Sequence, residues 1–139
     1  IDYQTVNKVF FRTKSRKRMQ LEAAILNDCE FYDHDRVAVL SVPLSLMEQI
    51  GATENDAEDL STLANLVEGV DCGAVLGELK PDVWKLSLRI GADGRVNATE
   101  ACRLLGGGGH AMAAGATVEG TLPEVKEKIL AAIDAVKRS

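Results

Sequence analysis

Apolar and polar positions alternate strictly over residues 84–90: Trp84, Leu86, Leu88 and Ile90 fall on one side, Lys85, Ser87 and Arg89 on the other. This period of two predicts a strand with one buried face. Residues 72–79 supply its partner strand, the two joined around Lys80, Pro81 and Asp82. Residues 36–42 read RVAVLSV, a β-branched run that fits a strand buried on both faces and ended by Pro43. Residues 115–119 predict one more short strand.

Elsewhere the period changes to that of a helix. Leu122, Val125, Ile129, Ile133 and Val136 share one side of a C-terminal helix, opened by a capping box of Thr121 and Glu124 with Pro123 in the first turn. Asn97 and Glu100 open a shorter helix through Leu105. Residues 44–50 predict a short helix stopped by Gly51. Thr53 caps a longer one with Glu54 and Asp56 in its first turn, Leu60, Leu63, Ala64 and Val67 on its inner face, and Gly69 beyond its end. Met19, Ala23, Ile25 and Leu26 form an earlier helical stripe, residues 1–12 read as a short helix, and Asp93-Gly94 marks a turn. The order of elements predicts a single α/β domain, a mixed sheet of four or five strands with helices packed on it. The chain opens on Ile1 rather than Met. Residues 1–30 are therefore expected to be a helical segment leading from an upstream domain, and residues 31–139 the α/β body.

Composition narrows the function. The 139 residues are 46% apolar and carry a net charge of −5, with no broad basic face for coating DNA or RNA. Any nucleic-acid contact must be local and use a few placed cations. The basic cluster Arg12, Lys14, Arg16, Lys17 and Arg18 reads as a solvated helix start. Cys29, Cys72 and Cys102 are widely spaced and odd in number, which suggests reduced, mostly buried thiols rather than a disulfide framework or zinc site. No apolar stretch is long enough to span a membrane, and a cytoplasmic location is expected.

The strongest chemical signal is residues 106–115, GGGGHAMAAG. Consecutive glycines lose backbone entropy on ordering and pack nothing, so the run makes sense where a ligand approaches the backbone. The small residues after it are expected to start a short helix at His110, its free N–H groups facing an anion. The run lacks the lysine and Ser/Thr of a Walker motif and does not follow a strand in the Rossmann manner. A bare flexible link would not call for the histidine and the alanines beside it.

Leu86-Ser87-Leu88-Arg89, Arg95-Val96-Asn97 and the segment from Leu105 to Gly115 together resemble the DHH-associated C-terminal domain of DHH phosphoesterases, nearest to the nano-RNase and pAp-phosphatase branch and its exopolyphosphatase-related members. The likeness extends over the whole chain. It implies a substrate-binding domain for short RNA or DNA oligonucleotides or phosphorylated nucleotides. The catalytic DHH domain, with its two manganese ions, would be a separate, covalently linked upstream unit. By that resemblance Arg89, Gly107, Gly108, Gly109 and His110 are the substrate-binding positions; the chain supplies no catalytic residue, metal ligand or cofactor and is expected to be inactive alone. Elementary chemistry agrees on Arg89, whose planar fork suits phosphate oxygens. The alternative is a nucleic-acid or tRNA interaction module without a hydrolytic partner. A complete small hydrolase finds no nucleophile–base–acid set. Asp33-His34-Asp35 looks like a degenerate metal box, yet it lies where aspartates favour turns, and only one other histidine exists.

Overall fold

The computed structural model describes residues 15–91 and 94–137. The helix expected over residues 1–12 and Asp93 of the expected turn lie outside them.

Helix α1, Arg16–Asn27, begins where the Ser15 side chain accepts the Arg18 N–H. The three-residue strand β1, Glu30–Tyr32, then turns through Asp33, His34 and Asp35 into β2, Val37–Val42. All three turn residues are left-handed, with φ of 54, 57 and 63, a conformation that Asp and His adopt more readily than most residues. Pro43 ends β2, and α2 follows as Leu44–Ile50, closed by left-handed Gly51 as expected.

The long helix expected after Thr53 does not form. Residues 54–59 are turns, and a 3-10 helix occupies Leu60–Leu66 behind Asp59, whose φ is 58. The physical reason lies in α1. The Arg18 guanidinium donates to the carbonyls of Asp56, at 3.1 Å, and Glu58. In a continuous α-helix these carbonyls would accept the N–H groups four residues on. Leu60, Leu63 and Ala64 are still buried as expected, but Val67 lies past the helix in extended backbone.

Strands β3, Cys72–Lys80, and β4, Val83–Ile90, form the expected hairpin. Helix α3, Ala98–Leu104, starts at Asn97, whose side chain accepts the Glu100 N–H. Strands β5, Gly108–His110, and β6, Ala113–Glu119, precede α4, Leu122–Val136, with its Thr121–Glu124 capping box. The sheet has six strands in the order β1-β2-β3-β4-β6-β5, all antiparallel except β2 with β3. The α/β class is as expected. The strand number exceeds the expected four or five because β1 and β5 are three residues each, too short to show alternation.

Two cores sandwich the sheet. On one face Val39, Ala74, Leu76, Trp84, Leu86 and Leu88 pack against Ala101 and Cys102 of α3 and Val125, Ile129 and Ile133 of α4. On the other, Ala38, Leu40, Val42 and Val75 pack against Leu21 and Ile25 of α1 and against the 3-10 helix. Of the stripe expected on α1, Ile25 is buried, 1% exposed, and Leu21 points inward beside it, while Met19 is 59% and Leu26 39% exposed and Ala23 is exposed as well. The three cysteines are free, with Cys72 and Cys102 buried.

Candidate functional site

Each glycine of the run answers to a different constraint. Helix α3 closes in a Schellman cap: Gly106 N–H donates to the Arg103 carbonyl at 3.1 Å and Gly107 N–H to the Cys102 carbonyl at 2.7 Å. Gly106 supplies the left-handed φ of 84 that this cap needs. A Cβ on Gly107 would stand 2.1 Å from the Gly115 carbonyl oxygen, and one on Gly109 would stand 2.5 Å from Ala114 Cα. Gly108 differs, since a Cβ there meets nothing within 4 Å and its φ is not left-handed. The fold explains three of these glycines and leaves the fourth unexplained.

No helix starts at His110. Ala111 and Met112 form a turn, and the alanines after them belong to β6. Seven residue pairs join β6 to β4, from Arg89↔Ala113 to Val83↔Glu119. Such a ladder outweighs the few tenths of a kcal/mol per residue by which alanine favours helix. The helix-terminus N–H groups and dipole expected at His110 are therefore absent. Instead β5 is the terminal strand of the sheet, and alternate backbone N–H groups of such a strand point away from it.

Pairing places Gly73, Arg89, Ala113 and His110 in one row across four strands, and Val75, Ser87, Gly115 and Gly108 in the next. Residues directly opposite share a face. Over β2 and β3 this face is covered by α1 and the 3-10 helix. Over β4, β6 and β5 it is open: Ser87, Arg89, Ala113 and Gly115 are half-buried, and Lys85, Thr117, Gly108 and His110 are exposed. Ala113, Gly115 and Gly108 make a low floor, with Arg89 and His110 at its two sides. Strands about 4.8 Å apart put those two residues about 10 Å apart at Cα, within joint reach of one phosphate. Residues 85, 87 and 89 all point to this open half, as their alternation predicts.

Charge pairing distinguishes Arg89 from Arg18, Arg36 and Arg95. Arg18 Nε is 2.6 Å from Glu22 Oε2, Arg36 Nε is 2.8 Å from Asp71 Oδ2, and Arg95 is paired with Asp33. The Arg89 side chain makes no hydrogen bond or ion pair among the described residues. A half-buried planar donor without a side-chain acceptor, on the same open face as Gly108, where a Cβ would meet open space, is able to receive an anion.

Comparison with known proteins bears on what such a face belongs to. Residues 34–139 match the DHHA1 domain family. The chain belongs to the DHHA1 family. Over 95 residues this DHHA1 chain is 39% identical to the bifunctional oligoribonuclease and PAP phosphatase NrnA of Thermus thermophilus, a match covering 68% of the chain and 28% of NrnA. Its fold resembles an exopolyphosphatase-related protein of Bacteroides fragilis with a TM-score of 0.83 at 22% identity, covering 97% of the chain and 39% of that protein. The pGpG-specific phosphodiesterase PggH of Vibrio cholerae aligns with a TM-score of 0.62 at 14% identity, over 87% of the chain and 40% of PggH. At these identities the two structures show a shared fold. The chain thus spans less than half the length of each of these proteins.

The rest of the DHHA1 domain offers little competing chemistry. Asp33 pairs with Arg95 and lies 3.5 Å from Lys137 Nζ, while the His34 side chain is 95% exposed. The Arg95 hydrogen bond, with Lys137 adding to it, holds the Asp33 carboxyl below its ordinary range. Among the described residues no group of three His, Cys, Asp or Glu is placed to hold a metal, and no helix is long and apolar enough to cross a membrane. A shallow groove of about 300 Å³ between Tyr32, Val37, Leu130 and Lys137 lies along α4, on the helical side of the sheet away from Arg89. The sequence pattern points to Arg89, Ser87 and the glycines but does not show that only Gly108 is free of a structural duty. Only the backbone angle and the Cβ environment of each glycine together reveal that.

Proposed function

We propose that this DHHA1 domain binds the phosphate groups of short oligonucleotides or phosphorylated nucleotides on the open half of its sheet. In this reading a phosphate lies over Gly108 and Gly115. Arg89 provides a charge-assisted contact, and Ser87 and His110 provide hydrogen bonds from either side. Gly107 and Gly109 let β5 run close to β6, and the outward N–H groups of β5 add donors. The observation that carries this reading is the unneutralised Arg89 side chain on the same open face as Gly108, which no steric contact requires to be glycine, in a chain whose net charge is −5. Family membership supports it, since NrnA is named for acting on oligoribonucleotides and PAP.

Hydrolysis belongs, in this proposal, to a DHH domain linked upstream that carries the manganese ions. The binding domain then holds the ligand while the other domain acts on it. The open face spans three strands, about 10 Å across, which suits one or two nucleotides rather than a folded RNA. A calorimetric titration with 5′-phosphorylated diadenylate tests the reading. The expected result is weak binding that falls about ten- to a hundredfold in Arg89→Ala, as loss of a charge-assisted contact of about 1.5–3 kcal/mol requires. Equal affinity in the variant would remove Arg89 from the site, and tighter binding of tRNA than of the dinucleotide would favour an RNA-interaction module instead.

A further inference from the structure

We propose that Asn65 is an additional ligand-contacting residue of the open face, an inference that rests on the phosphate-binding reading above. Asn65 lies in the 3-10 helix, at the border between the covered and open halves of the sheet. Its neighbour there is Gly73, which stands directly beside Arg89 in the ladder. A Cβ on Gly73 would fall 2.3 Å from Asn65 Oδ1 and 2.7 Å from the Ala64 Cβ. The carboxamide therefore fills the notch that Gly73 leaves. Its Oδ1 is buried there without a hydrogen-bond partner.

A buried, unpartnered amide oxygen is unfavourable, so folding alone does not account for this placement. Leucine or alanine would fill the space without that penalty. The notch does one other thing: it holds the amide rigidly by one end. The Nδ2 end carries no bond among the described residues and is not buried with Oδ1. It is thus a fixed neutral donor next to the row of Arg89, Ala113 and His110. A phosphate placed against Arg89 would find in Asn65 a second donor at the closed side of the face. A donor on the covered border also fixes which way the ligand runs, outward across β6 and β5.

The test titrates the chain and its variants with 5′-phosphorylated diadenylate and follows the Asn65 side-chain amide signals by NMR. The expected result is a ligand-induced shift of the Nδ2 protons and an affinity loss of about tenfold in Asn65→Ala, with a melting temperature unchanged or raised. Asn65→Asp should lose about a hundredfold, because a carboxylate there pairs with Arg89 and repels the phosphate. A purely structural Asn65 would do the reverse, lowering the melting temperature of Asn65→Ala and leaving affinity intact, which would overturn the proposal. If Asn65→Ala fails to fold, unmoved Nδ2 signals in the native chain at saturation would overturn it equally. Weakened binding in Arg89→Ala with unchanged binding in both Asn65 variants sinks this inference alone. An Arg89→Ala variant that binds as the native chain does sinks the phosphate-binding reading and this inference together.

Discussion

Substituting alanine at each of two adjacent glycines should move stability and binding in opposite directions. At Gly107 the new Cβ would sit 2.1 Å from the Gly115 carbonyl oxygen and 2.7 Å from Ala116 Cα. Both obstacles are backbone of a central ladder strand, so neither can rotate away. Overpacking of this kind destabilises by about 1–3 kcal/mol. For a domain near this size that lowers the melting temperature by roughly 2–4 °C per kcal/mol. At Gly108 the new Cβ meets no atom within 4 Å, and the backbone is not left-handed. Alanine there restricts the unfolded chain at no strain in the folded one, a gain of about 0.4–1 kcal/mol. Gly108→Val should be similar or better in stability, because valine suits a strand. Yet either side chain occupies the open space over Gly108 in which the phosphate is proposed to lie. Calorimetric melting and titration with 5′-phosphorylated diadenylate should therefore show Gly107→Ala less stable, and Gly108→Ala and Gly108→Val stable but weakened in binding, valine more than alanine. A Gly108→Ala variant as unstable as Gly107→Ala would refute the steric reasoning. A stable Gly108→Val with native affinity would show that the space over Gly108 is not used.

Other outcomes follow from charge and burial. Arg89→Lys should recover only part of the affinity lost in Arg89→Ala, because an ammonium lacks the planar fork; full recovery by titration would contradict a bidentate contact. Burial pushes the Cys72 thiol up to about 12, with Asp71 and Cys102 adding to the effect. A group whose folded value is raised contributes stability below its unfolded value, and that contribution fades as pH rises above it. Melting temperature should accordingly fall from about pH 8.5 upward, less steeply in Cys72→Ala, and a thiol reagent should modify half-buried Cys29 well before Cys72. Asp33 has the opposite sign: its carboxyl is held low by Arg95 and Lys137, so its contribution is present above about pH 4 and is lost as pH falls below that. Asp33→Asn should be less stable at pH 7 and should lose less on acidification; parallel acid profiles of the two proteins would refute the assignment.

Local physics makes much of the fold legible in the sequence. The alternation from Trp84 to Ile90, the stop at Pro43, the left-handed Gly51 and the caps at Asn97 and Thr121 each depend on residues within one turn or one strand. So does the polar side of β4, which puts Ser87 and Arg89 on one face. Where pattern and structure part, the cause is a distant partner. Residues 53–67 carry a helix pattern, but Arg18 takes the carbonyls that the helix needs. The alanines after His110 carry no period, and pairing with β4 makes them strand rather than helix. Met19 and Leu26 are as fit for burial as Leu21 and Ile25 until the sheet selects a face of α1. The glycine run is visible as a signal, but its division of labour is not. A glycine's reason is the atom that would meet its missing Cβ, and for Gly107 and Gly109 that atom lies on β6. The elements, the Arg89 cation and the glycine–histidine segment are thus written in the order of residues, because each rests on neighbours along the chain. That helices cover one half of a sheet face and leave the other half, with Arg89, Gly108 and His110, open to a ligand is a matter of packing between residues far apart in that order.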